Sequence, residues 1–280
     1  MVELVDRVVS DEAAGRRTEA AQEAVIAVRG VAVGYGGQPV IRGVDLDIAR
    51  GELVALCGPN GSGKSTLLGA LAGLQPVSQG EIRVAGSALG RLSRRELARR
   101  VAHLPQQPIA PEGLTVREVV ALARYPHRRA LGGLQVSDKR AVTEALERAE
   151  VAELANRPVE QLSGGERQRV WIALTLAQEA DILLLDEPTT FLDPQHQVGV
   201  LRRMRRLARE LDLTVVWVLH DLNQAAGYSD RMILLKDGGI AAAGVPEAVL
   251  TEDTVRRVFE LETLIMPHPE TGRPLCVPRT

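Results

Sequence analysis

The chain has 280 residues, 45% of them hydrophobic and 25% charged, enough for one large globular domain or a domain carrying an inserted subdomain. Lys and Arg total 34 against 36 Asp and Glu, a net charge of −2, so no basic field covers the molecule, which argues against nucleic acid as a main partner. Two widely separated cysteines, Cys57 and Cys276, fit a reducing compartment without a structural disulfide, and no apolar run approaches the roughly 18 residues of a membrane span.

Residues 1–24 mix acids and arginines without an apolar stretch; they match neither a secretory signal nor a transit peptide and read as a mobile extension. "VIAVRGVAV" and "VDLDI" then alternate with period two around the turn residues "GYGGQP", the pattern of an antiparallel β layer. "ELVALC" is different: a short continuous apolar run, as in strands buried on both faces of a mainly parallel sheet. "DILLLD", "TVVWVLH" and "RMILLK" repeat that pattern further on, which predicts an α/β core.

Directly after "ELVALC" comes "GPNGSGKST": Gly58, Pro59, Asn60, Gly61, Ser62, Gly63, Lys64, Ser65 and Thr66. It matches the phosphate-binding P-loop pattern and sits between a strand and the helical "TLLGALAGL", where that pattern must sit. The glycines let backbone N–H groups converge on phosphate oxygens, the helix N-terminus adds partial positive charge, and the Ser65 hydroxyl is placed to ligate Mg²⁺. Lys64 is one of only three lysines in the chain, and its position calls for a compact ammonium at the β and γ phosphates.

Between about residues 93 and 165 strands are nearly absent, while Ser93 with Glu96 and Thr115 with Glu118 form capping boxes; this stretch reads as a helical insertion. It ends in "QLSGGERQRVWIAL", where Ser163, Gly164 and Gly165 stand at the mouth of a helix and make a second anion-holding turn. Next, "ILLLDE" ends a strand in Asp186 and Glu187, adjacent carboxylates whose side chains point apart. Beside a P-loop they divide the labour of nucleotide hydrolysis: Asp186 for the Mg²⁺ shell, Glu187 for the attacking water. "RRMRRLARE" alternates arginines with apolar residues and reads as the solvated face of a helix. The segment from 256 to 280 carries only weak signals and is read as a tail.

"GPNGSGKST", "LSGGERQR", "LLLDEP", "FLD" and "VLHD", in this order and spacing, resemble the ATP-binding subunit of ABC transporters over about residues 25 to 250. The resemblance implies a P-loop ATPase of ABC type, its domain spanning 25–255, with ATP and Mg²⁺ bound. It implies that Tyr35 stacks on adenine, that Gln106 reaches toward Mg²⁺ and the attacking water, that Asp193 lies at a dimer seam, and that His220 contacts the γ phosphate. The plainer rivals are a strand-end aromatic for Tyr35, a one-residue slip to Gln107 or an ordinary loop amide for Gln106, and a core-edge histidine for His220; the position of Tyr35 ahead of the P-loop and the strand-end context of His220 favour the functional readings. The family arrangement further implies a head-to-tail dimer of two copies, in which the 163–165 turn of one covers the γ phosphate held by the other's P-loop. It also implies a separate integral membrane permease, an indirectly engaged substrate-binding protein, and a peripheral place at the cytoplasmic face of the plasma membrane. "ARYPHR", "HDLNQAAGYSD" and "PETGRPLCVP" are similar to the ATPases of bacterial ferric-siderophore importers, whose relatives move haem and cobalamin.

Overall fold

In the computed structural model, residues 24–36, 38–128 and 133–279 are described. The N-terminal extension expected from the sequence lies outside them, Ala24 excepted. In chain order the elements begin with β1 (Ala24–Tyr35), β2 (Gln38–Ala49), β3 (Leu53–Cys57), α1 (Lys64–Leu71), β4 (Gln79–Val84) and β5 (Ser87–Ala88). There follow α2 (Arg94–Ala98), β6 (Val101–Leu104), α3 (Val116–Leu122), α4 (Val136–Arg148), α5 (Gly164–Ala177) and β7 (Ile182–Leu185). The rest comprises α6 (Pro194–Glu210), β8 (Thr214–Val218), α7 (Leu222–Tyr228), β9 (Arg231–Lys236), β10 (Gly239–Gly244), α8 (Pro246–Val249), α9 (Glu252–Phe259), β11 (Thr263–Pro267) and β12 (Pro274–Pro278).

The antiparallel layer runs β2-β1-β4-β5, and the main sheet runs β10-β9-β3-β8-β7-β6, parallel except for the edge strand β10. Every residue of β3 and β7 is buried, and alternate residues enter different cores. Leu53, Ala55 and Cys57 join the core shared with the helical insertion, whereas Val54 and Leu56 join the core shared with α1 and the antiparallel layer. Two-sided burial is why these strands read as continuous apolar runs rather than alternating ones. α1 is wedged between the two layers, with Leu67, Leu68 and Leu71 wholly buried.

Both predicted capping boxes form, Ser93 with Glu96 opening α2 and Thr115 with Glu118 opening α3. Two expectations need correction. The stretch 93–165 holds a core strand, β6, paired in parallel with β7, so the helical insertion proper starts after it; four residues, "VAHL", are too few to carry a periodic signal. The boundary at 255 falls inside α9, and the residues read as a tail form the β11–β12 hairpin. That hairpin is fastened to α7: Asn223 both donates to the Cys276 carbonyl at 3.1 Å and accepts from its N–H at 2.7 Å.

Inside the insertion, Arg124 of "ARYPHR" is buried and donates to Asp138 at 3.0 Å, to Glu179 at 2.7 Å and to the Ala177 carbonyl. Burial raises the Asp138 carboxyl, but the Gln135 N–H and the Arg124 guanidinium outweigh it and leave it below its ordinary value. Asp138 therefore contributes stability above its unfolded pKa that is lost as pH falls through the depressed folded one. We expect Asp138→Asn to cost about 1–3 kcal/mol at pH 7 in urea unfolding. The gap to wild type should close as the pH falls below the ordinary carboxylate range, because the wild type then loses the same charge.

Candidate functional site

Parallel pairing fixes where the site lies. The register sets Leu56 beside Val218, Trp217 beside Leu185, and Leu185 beside Leu104, so β3, β8, β7 and β6 all end at one edge of the sheet. The segments that follow them carry the P-loop, His220, Asp186 with Glu187, and Gln106. Residues more than a hundred positions apart thus meet at the carboxyl edge, where open α/β sheets bind ligands.

The P-loop is shaped by glycines that cannot be replaced freely. Gly58 has φ +148° and a Cβ there would collide with the Leu235 carbonyl; Gly63 has φ +99° and a Cβ would lie 2.5 Å from Ile41 Cδ1. Lys64, 6% exposed, donates through Nζ to the carbonyls of Gly58 and Pro59, both at 2.9 Å. Burial lowers its pKa, opposed by Glu187, Cys57 and Asp186. Ser62 Oγ is buried without a hydrogen-bond partner among the described residues. An unpartnered hydroxyl and an ammonium resting on its own loop fit a cradle made for phosphate oxygens.

Next to it, Ser65 Oγ donates to Asp186 Oδ1 at 3.0 Å. Burial raises the Asp186 carboxyl, with the Ser65 hydrogen bond opposing. No cluster of three or more His, Cys, Asp or Glu side chains able to hold a metal occurs among the described residues. One hydroxyl and one carboxylate oxygen nevertheless fit Mg²⁺, which keeps several waters and takes its other ligands from substrate phosphates.

Glu187 is the most constrained side chain of the site. Its backbone lies in the left-handed region at φ +51°, costly for a residue with a Cβ and a conformation that gathers at functional sites. His220 Nε2 lies 2.6 Å from Oε1, while Gln106 Nε2 at 2.6 Å and Thr190 Oγ1 at 2.9 Å donate to Oε2. Burial raises the carboxyl, but His220, Thr190 and Gln106 together hold it below its ordinary value. It is ionised at neutral pH. Of the two adjacent glutamines, Gln106 is the one that meets Glu187. Thr190, one turn beyond Glu187 in "EPTT", escaped the sequence reading; a hydroxyl at i+3 in a turn was the available signal.

Tyr35 stands at the end of β1, half-exposed and paired with Gln38, on the same hairpin as Ile41, the residue that abuts Gly63. Ser163 caps α5 in a capping box with Glu166, and both Ser163 and Gly164 face solvent. No hydrogen bond or ion pair among the described residues joins this turn to the chain's own P-loop. Gly165 instead lies against His196, whose Cδ2 would be 2.6 Å from a Cβ at 165. His196 Nδ1 in turn sits 2.7 Å from Asp193 Oδ2, while Asp193 Oδ1 caps α6 by accepting the His196 N–H. His196 thus ties Asp193 to the 163–165 turn, a link no local pattern announces.

The model of the family described as ABC transporter matches residues 41–190. The chain is 42% identical to the iron(3+)-hydroxamate import ATP-binding protein FhuC of Bacillus subtilis (strain 168), over 88% of this chain and 91% of that protein. It is 48% identical to the hemin import ATP-binding protein HmuV of Streptomyces coelicolor, over 91% and 90% respectively. Among solved structures it superposes on a dimeric bacterial ABC transporter cassette with a TM-score of 0.70 and 32% identity, covering 79% of this chain and 98% of that one. The family match and the similarity to import ATP-binding proteins over most of their length show that the chain belongs to the ABC transporter family as one of its ATP-binding, ATP-hydrolysing components.

Proposed function

We propose that this ATPase drives uptake of a ferric siderophore, acting as a head-to-tail dimer of two copies at the cytoplasmic face of the membrane, on a separate permease supplied by a substrate-binding protein. The observation that carries the catalytic reading is the Glu187 carboxylate, ionised and held by Gln106, His220 and Thr190 beside the Ser65–Asp186 pair. Tyr35 offers its exposed ring to the adenine, and Lys64 turns from the Gly58 and Pro59 carbonyls to the β and γ phosphates. Ser65 and Asp186, with Gln106, would hold Mg²⁺, which supplies charge neutralisation at the phosphate oxygens. Glu187 accepts a proton from the attacking water through the acceptor capacity that its three partners leave free, His220 alone lying on Oε1. Gln106 then orients the water and His220 contacts the γ phosphate.

Ser163, Gly164 and Gly165 complete the partner's nucleotide site, with Asp193 at the seam. This reading is supported by the solvent-facing turn, which presents backbone N–H groups and a helix N-terminus to whatever approaches. ATP then joins the two copies, and loss of the γ phosphate removes the ligand that held them. No helix among the described residues is long and apolar enough to cross a membrane. Ile109, 91% exposed and three residues beyond Gln106, and Leu122 and Tyr125 of the insertion are exposed apolar side chains open to contact with the permease.

The cargo is read from the relatives: FhuC is named for iron(3+)-hydroxamate import, while the 48% identity to HmuV favours hemin as a second reading. Cells lacking this protein should fail to grow on ferric siderophore as sole iron source and keep normal cobalamin uptake. Growth retained on siderophore but lost on hemin would select the second reading and leave the ATPase itself untouched.

A further inference from the structure

The arginines of "RRMRRLARE" do not form one solvated face. Arg203 turns inward, donating to the Ala149 carbonyl and pairing with Glu150. Arg202, Arg205, Arg206 and Arg209 line one wall of a cleft of about 670 Å³, bounded on the other side by α7 and the β11–β12 hairpin. These positions lie roughly 13 to 24 Å along α6 from Asp193, at 1.5 Å per residue, so the arginine wall stands away from the dimer seam, and no lining residue belongs to the P-loop or to the sheet-edge acids.

Its charges are not balanced. Arg209 pairs with Asp230, and Arg206 lies 3.4 Å from Glu150 and 3.8 Å from Glu210. Arg202 has no hydrogen bond or ion pair among the described residues, and Arg205 donates only to the Gly227 carbonyl at 3.0 Å. Behind them Arg273 donates to the carbonyls of Ala226 and Ser229, at 2.5 and 2.6 Å, again without a carboxylate. Burial lowers the Arg205 pKa, and the neighbouring Arg273 lowers it further. The one acid on the lining is Glu270, which makes no ion pair among the described residues. On the lining, Arg202 and Arg205 without a carboxylate partner stand against the single carboxylate of Glu270, with Arg273 adding its charge from behind, and leave a concave, partly desolvated excess of positive charge. Guanidinium forks bind phosphate and carboxylate bidentately, and arginines three and four residues apart on a helix stand about 5–6 Å from one another at Cβ, so one small anion cannot satisfy them all.

We propose that this cleft binds a small polyanion, a group carrying two or more phosphates or carboxylates, with Arg202 and Arg205 as its principal contacts and Tyr228 and Thr271 as neutral donors from the opposite wall. Because Asp193 caps α6 and α7 begins two residues after His220, the ligand spans the two helices whose N-terminal ends adjoin the dimer seam and the nucleotide site.

The test is calorimetric titration of the full chain with inorganic pyrophosphate, its P-loop occupied by saturating ADP. We expect one additional site, weakened by added salt, and at least about tenfold weaker in Arg202→Glu, a loss of roughly 1.4 kcal/mol. Lys139→Glu, an equal charge change on the exposed face of the insertion, should leave it unaltered. A second arm uses phosphatidylglycerol vesicles: cosedimentation that pyrophosphate competes away and Arg202→Glu abolishes would assign the anion to a lipid headgroup at this same site. Absence of binding in both arms, or binding that Arg202→Glu and Lys139→Glu weaken alike, overturns the proposal.

Discussion

Replacing Glu187 with Gln should leave ATP binding intact while cutting steady-state turnover by about 10²–10⁴-fold, the range for loss of a general base. Gln keeps the shape and can still accept from Gln106 and Thr190, which both donate to one oxygen of the side chain. What it lacks is the charge that draws a proton from water. Since ATP remains uncleaved, the variant should persist as a dimer with ATP on a sizing column. Lys64→Ala should fail in a different way, by weakening nucleotide binding itself, because it removes contacts made already in the ground state. Turnover close to wild type in Glu187→Gln would remove this residue from the mechanism, whatever happens to Lys64→Ala.

Mixing two inactive chains should restore activity if the 163–165 turn serves the partner's nucleotide. One chain carries Lys64→Ala. The other carries Gly164→Asp, preferred to Gly165→Asp because a Cβ at 164 meets nothing within 4 Å, whereas one at 165 would strike His196 within its own chain. Gly164→Asp therefore leaves its own fold unstrained and sets a carboxylate where a γ phosphate has to come. In the mixed dimer a turn acting across the interface gathers both lesions into one site and leaves the other wholly wild type. A turn acting within its own chain leaves each site with one lesion. Recovery of turnover, nucleotide trapping or ATP-dependent association in the mixture is the expected result. Recovery of none of them, with mixed dimers demonstrated by tag pull-down, refutes the reading of this turn as a lid for the partner's ATP.

What the sequence determined by itself is local or carried by uninterrupted patterns. The P-loop announces its own geometry, because its glycines, lysine and hydroxyl work within nine residues and between a strand and a helix that each have their own signal. The buried strands and the capping boxes at Ser93 and Thr115 are similarly legible, since burial on two faces and a cap three residues before an acid leave marks on neighbouring positions. Tertiary structure alone decided the rest. Whether Gln106 or Gln107 meets Glu187 depends on the register of β6 against β7, and β6 at four residues has no period to read. Thr190 on Glu187, and His196 between Asp193 and Gly165, result from how turns pack. The weak tail becomes a hairpin because α7 satisfies its backbone through Asn223, and one arginine run divides between a buried carbonyl and an open cleft because α6 meets different neighbours around its circumference. Each of these contacts joins residues whose identities constrain one another only after the chain has brought them together, and for that reason no nearby position records them.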